Sequence, residues 1–123
     1  MYTILVCDDE RDIVSALEIY LAAEGYRVLK AYNGKEALSV AAREDVHLIL
    51  MDIMMPVMDG LTAARTIRSL KRSDAKSVPI IALSANAFAE DEAESQQAGL
   101  NGYLAKPLEA KKLLALLHSY KKS

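Results

Sequence analysis

Thr3-Ile4-Leu5-Val6-Cys7 is an unbroken run of β-forming residues that stops abruptly at Asp8-Asp9-Glu10. The same design recurs along the chain. His47-Leu48-Ile49-Leu50-Met51 stops at Asp52, Pro79-Ile80-Ile81-Ala82-Leu83 at Ser84, and Gly102-Tyr103-Leu104-Ala105 at Lys106-Pro107. A fifth run, Arg27 to Tyr32, ends without a comparable reactive group. These runs are apolar nearly throughout rather than alternating with polar residues. Strands of that kind belong to a parallel sheet covered by helices on both faces.

The intervening segments carry helical spacing. Ile13, Leu17, Tyr20 and Leu21 precede Glu24-Gly25, with the glycine where a helix C-cap is expected. Asn33-Gly34 opens a second helix, with Ala37, Leu38 and Ala41 on one face. The segment Ile53 to Gly60 holds Pro56 and Asp59-Gly60 and reads as a loop. Leu61, Ala64, Ile67 and Leu70 then recur at intervals suited to a helix against a sheet, and Ser73 to Ser77 is polar linker. A weakly amphipathic, acid-rich helix is expected over Ala87 to Ala98, closed by Gly99, and a last one over Leu108 to Tyr120, before a solvated Lys121-Lys122-Ser123 tail. Five strand–helix units joined by right-handed crossovers make a doubly wound α/β sandwich.

A length of 123 residues is the common size of one domain, so residues 1–123 are expected to form a single unit. Lys plus Arg is 15 and Asp plus Glu is 17, a net charge of −2 that gives no basic face for direct binding of nucleic acid or a membrane surface. Cys7 is the single cysteine, which excludes an internal disulfide and fits a reducing compartment. It reads as a small buried hydrophobe rather than a nucleophile. No apolar run approaches the ~18–20 residues that span a bilayer, and the first ten residues lack the form of a signal peptide. The expectation is a soluble, cytoplasmic protein.

In an open parallel sheet, ligands bind beyond the carboxyl ends of the strands. Those ends supply Asp8-Asp9-Glu10, Asp52, Ser84 and Lys106. Carboxylates converging on one edge repel each other, and a hard divalent cation relieves the repulsion. Mg²⁺, or Mn²⁺ in its place, suits Asp9 and Asp52 directly, with Asp8 through water. An Asp52 oxygen is then placed to attack a phosphoryl group in line, while Lys106 and Ser84 neutralise and hydrogen-bond its equatorial oxygens. Each residue has a plainer reading when taken alone. Asp8-Asp9-Glu10 suits the first turn of a helix, Asp52 a loop cap, Ser84 an N-cap, Lys106 the surface and Tyr103 the core. His47 and His118 lack ligand spacing for zinc, and the five glycines form no nucleotide-binding loop.

Val6-Cys7-Asp8-Asp9-Glu10, the stretch Asp52-Ile53-Met54-Met55-Pro56-Val57-Met58-Asp59-Gly60, Leu83-Ser84-Ala85 and Ala105-Lys106-Pro107, in this order and spacing, resemble a two-component response-regulator receiver domain. The resemblance covers essentially the whole chain. It implies a flavodoxin-like (βα)₅ fold with strand order 2-1-3-4-5. It implies that Asp52 accepts phosphate from a histidine kinase or a phosphotransfer protein, with Mg²⁺ held by Asp8, Asp9, Asp52 and the backbone carbonyl of Met54. Ser84 becomes the switch hydroxyl, in a position where threonine is more frequent, and Tyr103 the aromatic that rotates inward with it. The Lys106-Pro107 peptide is expected to be cis. Met54 and Asn86 would flank the path of attacking water and tune phosphate lifetime. Output is expected through the fourth helix, fifth strand and fifth helix, roughly Ala87 to Tyr120, toward a downstream protein or an output domain, with an isologous homodimer through the same face.

The first half resembles receivers that precede a DNA-binding domain, and the stretch Ala82 to Phe88 those attached to hybrid sensor kinases. The chain is therefore expected to be a stand-alone receiver or part of a longer protein, and a phosphoacceptor rather than an enzyme. An aspartyl-phosphate phosphatase shares the chemistry but carries Asp-x-Asp, where this chain has Asp52-Ile53-Met54. A pure interaction module is the other alternative, with all five family positions filled against it.

Overall fold

In a computed structural model of the chain, residues 2–52, 60–70, 78–84, 99–105 and 109–121 are described. Of Leu61, Ser84, Tyr103, Ala105 and Lys121 the backbone alone is described. The elements are β1 (Thr3–Cys7), α1 (Arg11–Ala23), β2 (Arg27–Ala31), α2 (Gly34–Arg43), β3 (Leu48–Asp52), α3 (Gly60–Arg68), β4 (Ile80–Ser84), β5 (Gly102–Ala105) and a C-terminal helix, Ala110–Lys121. The strands form one sheet in the order β2-β1-β3-β4-β5, every pair parallel. This is the expected order. Of the loop expected over Ile53 to Gly60, Gly60 opens α3 and the rest lies outside the described residues, as do the linker, the helix expected over 87–98, Asn86 and the Lys106-Pro107 peptide.

β1, β3 and β4 are apolar nearly throughout because their alternate residues enter two different cores, whereas the edge strand β2 exposes Arg27 and Lys30. Leu5, Cys7, Ile49, Met51, Ile80 and Ala82 face one cluster, which α2 and α3 complete with Ala37, Val40, Ala41, Ala63, Ala64 and Ile67. Ile4, Val6, Leu48, Leu50, Ile81 and Leu83 face the other, completed by Val14, Leu17 and Leu21 of α1 and by Leu113 and Leu117 of the C-terminal helix. β1 and β3 are buried at every position. A strand with water on one face would need polar residues at every second position.

The helix ends follow local rules. Gly25 takes φ +91°, its N–H donates to the Ala22 carbonyl at 3.0 Å, and Tyr26 N–H reaches back to the Leu21 carbonyl at 3.1 Å. This is a Schellman cap, which requires a left-handed residue where Gly25 stands. At the start of α2, Asn33 Oδ1 accepts from Glu36 N–H at 2.9 Å, and Glu36 Oε1 accepts from Tyr32 N–H at 2.7 Å. Two amides at the helix start are thereby satisfied.

Candidate functional site

The sheet register brings the acids to one level. Cys7 pairs with Met51, so Asp8 and Asp52 each stand one residue further along adjacent strands. Asp52 pairs with Leu83, and Ser84 follows. Ser84 pairs with Ala105, the residue before Lys106. The chain also reverses its winding between β1 and β3, because β2 lies on one side of β1 and β3 on the other. Such a switch point opens a crevice at the carboxyl ends of the strands.

Asp8, Asp9 and Asp52 meet at that crevice. A carboxylate oxygen from each lies within 4.8 Å of the others. Asp8 and Asp52 are buried and Asp9 is exposed. Asp8 N–H extends the β1–β2 ladder to the Ala31 carbonyl at 3.2 Å, and Asp8 Oδ1 accepts from Glu10 N–H at 2.9 Å. The second bond shapes the turn into α1 and fixes one carboxylate oxygen. Octahedral Mg²⁺ binds oxygens at roughly 2.1 Å, so its ligands lie up to about 4 Å apart. Three hard oxygen donors at the observed spacing fit one such ion after small adjustments. Two buried carboxylates beside a third are unfavourable without a compensating positive charge.

Cys7 stands next to this cluster but faces the core. Its Sγ–H donates to the Asn33 carbonyl at 3.4 Å. Burial pushes the thiol up to about 12, and the charges of Asp8, Asp52, Glu36 and Asp9 add to the effect. A thiol held neutral in this way is a packing group, in agreement with the sequence reading. At the rim, the Arg11 guanidinium carbon lies 4.0 Å from the centroid of the Tyr32 ring. This cation–π contact joins the start of α1 to the end of β2. No motif announces it, since 21 positions separate the two residues.

A family model described as the response regulator receiver domain matches residues 4–118. The chain belongs to that family. Receiver domains of this kind are signalling phosphoacceptors of two-component systems, not enzymes in the usual sense. Among curated relatives, the receiver is 40% identical over 116 residues to the probable transcriptional regulator ycf27 of Porphyridium aerugineum, covering 94% of this chain and 46% of that one. It is 39% identical over 117 residues to an uncharacterized 14.6 kDa protein of Leptolyngbya boryana, covering 95% and 88%. The chain thus spans about half the length of the ycf27 protein and most of the Leptolyngbya one. Among solved structures, the receiver domain of a Pseudomonas aeruginosa sensor histidine kinase superposes with a TM-score of 0.89 at 38% identity, covering 99% and 98% of the two chains. That structure has a magnesium ion coordinated in its active-site cleft. Vibrio cholerae chemotaxis protein CheY4 superposes with a TM-score of 0.92 at 32% identity, covering 98% of each chain.

Of the residues singled out in the sequence, the structure brings Asp8, Asp9 and Asp52 together by side chain. It brings Ser84 to the same edge by its strand position, and it pairs Tyr103, on the edge strand β5, with Ala82 of β4. Lys106 and Met54 lie outside the described residues. Among the described residues, no helix is long and apolar enough to cross a membrane.

Proposed function

We propose that Asp52 accepts a phosphoryl group from a histidine kinase or a phosphotransfer protein. The observation that carries this reading is the convergence of Asp8, Asp9 and Asp52 at the β1–β3 switch point, with their oxygens within 4.8 Å. An Asp52 carboxylate oxygen forms the new bond to phosphorus as the donor's phosphorus–nitrogen bond breaks. The donor imidazole leaves with that electron pair. Asp8, Asp9, Asp52 and the Met54 carbonyl would hold Mg²⁺, which when bound supplies positive charge against the transferring phosphoryl oxygens. Ser84 and Lys106 engage the remaining oxygens through a hydroxyl and an ammonium group.

Once Asp52 is phosphorylated, Ser84 moves toward the phosphoryl group and Tyr103 turns inward behind it. The domain then shifts between two pre-existing states. The change is read on the surface of the fourth helix, β5 and the C-terminal helix by a downstream protein, an output domain or a second copy of the chain. This reading takes residues 1–123 as one receiver working in the cytoplasm.

Incubation with Mg²⁺ and acetyl phosphate, followed by intact mass, tests the reading. The expected result is a gain of one phosphoryl group that disappears in Asp52→Asn. No gain, or a gain that survives Asp52→Asn, refutes it.

A further inference from the structure

β4 and β5 are parallel strands separated by a long connection, so no tight turn sets their register. β5 has four residues, one of them Gly102, and packing alone specifies the register of so short a strand weakly. A polar clasp at the amino-terminal edge supplies what the strand lacks. Arg68, the last residue of α3, donates from Nη1 to the Val78 carbonyl at 2.6 Å. Its Nε and Nη2 both donate to the Gly99 carbonyl, at 3.1 and 2.7 Å, and Nη2 also reaches Asn101 Oδ1 at 2.8 Å.

Asn101 in turn brackets Ile80. Its N–H donates to the Ile80 carbonyl at 2.7 Å, and its Oδ1 accepts from Ile80 N–H at 2.9 Å. Tyr120 of the C-terminal helix donates its hydroxyl to the Asn101 carbonyl at 3.4 Å. The clasp is closely fitted. Gly99 has φ +96°, and a Cβ there would stand 2.9 Å from both Cγ and Nε of Arg68. Asn101 is the residue before β5 and Ile80 opens β4, so these bonds fix Ile81 opposite Gly102 and hence Ser84 opposite Ala105. A slip of one residue would move the end of β5 by about 3.3 Å and turn each side chain to the other face.

We propose that Arg68 and Asn101 are positioning residues for phosphoryl transfer. They set the register of β5 from its amino end and so fix Ala105, the residue before Lys106 in the chain, opposite Ser84. The proposal rests on the role given to Lys106 above. A carboxylate cluster at the carboxyl ends of β1 and β3 does not depend on β5, so metal binding and phosphoryl uptake should separate.

The test measures the rate of phosphorylation from acetyl phosphate and the Mg²⁺ dissociation constant in Arg68→Lys, Asn101→Leu and Asn101→Asp. A displacement on the ångström scale can slow chemistry by up to a hundredfold, so Asn101→Leu should be slower by about tenfold or more. Arg68→Lys, which keeps the charge but loses the fork, should be slowed in the same direction. Asn101→Asp retains an acceptor for Ile80 and Arg68 and should stay near the parent rate. Mg²⁺ affinity should stay within about twofold throughout, a margin well below one hydrogen bond in energy. In a Lys106→Ala background the clasp variants should slow the reaction little further, because their effect runs through that residue.

If Asn101→Leu fails to fold, Arg68→Lys decides. Parent-like rates in Arg68→Lys and Asn101→Leu beside a slow Lys106→Ala overturn the proposal and leave the Lys106 reading standing. So do parallel losses of rate and Mg²⁺ affinity, or fully additive losses with Lys106→Ala. A parent-like rate in Lys106→Ala itself overturns the underlying reading instead.

Discussion

At the amino-terminal ends of β1 and β3, Tyr2 stacks on His47 with ring centroids 5.0 Å apart and planes at 19°, and meets Tyr26 edge-on at 5.8 Å. Thr3 N–H donates to His47 Nδ1 at 2.9 Å, while His47 N–H donates to the Thr3 carbonyl at 2.9 Å. The imidazole thus carries the β1–β3 ladder one step beyond the strands. At the carboxyl-terminal ends of the same two strands, Asp8, Asp9 and Asp52 crowd together. One end satisfies its amides and stacks its rings. The other collects like charges that folding alone would disfavour. Bonds that favour folding gather at one end of the sheet, and at the other stand the carboxylates that the proposed function assigns to a metal ion.

The largest expected effect is the complete loss of phosphoryl uptake in Asp52→Asn, with His47→Ala unchanged in the same intact-mass assay. A His47→Ala chain that folds but no longer takes up phosphate would erase the division between the two ends. Next comes the response to metal. At about 100 times its dissociation constant, Mg²⁺ should stabilise the parent by about 2.7 kcal/mol in urea unfolding. Asp9→Asn should lose most of that gain, and His47→Ala should keep all of it.

A smaller effect belongs to the aromatic end. His47→Ala leaves Thr3 N–H without its acceptor and Tyr2 without its stacking partner, which should cost about 1–2 kcal/mol. Urea midpoints give the comparison, and a difference near zero would show that the ring contacts do not support the sheet.

The smallest effect returns to the acidic end. Cys7 has its folded-state thiol raised from 9.0 to about 12. Below pH 9 both folded and unfolded states keep the thiol neutral. Above it the unfolded chain loses a proton that the folded chain retains, so stability falls as pH rises toward 12. Against Cys7→Ala, the parent should lose roughly 1 kcal/mol at pH 10, about one pH unit above the unfolded value. A constant gap between parent and variant from pH 8 to 11 would remove Cys7 from the alkaline response.

The strands were legible because a doubly covered parallel sheet needs apolar residues on both faces, and four of the runs end on polar groups in the sequence itself. The ends shift by a residue. β3 includes Asp52 and starts at Leu48, not His47, because the His47 side chain takes over the ladder position on β1. The C-terminal helix is described from Ala110, with Glu109 ahead of it, and the expected start at Leu108 lies outside the described residues. The Gly25 cap and the Asn33 start of α2 were equally legible, since both depend on bonds made within a few residues.

The sequence by itself determined the strand–helix alternation, the caps and the set of groups that end each strand. These follow from local backbone preferences and from the need to hide apolar side chains. The convergence of Asp8, Asp9 and Asp52 followed from the strand ends, but only the tertiary structure decided how closely their oxygens approach, that Arg11 lies over Tyr32, and that Arg68 and Asn101 hold β5 against β4. Arg68 meets Gly99 and Asn101 across 31 and 33 positions of chain. Such bonds leave no periodicity to read, because register between parallel strands arises only when the crossovers have closed.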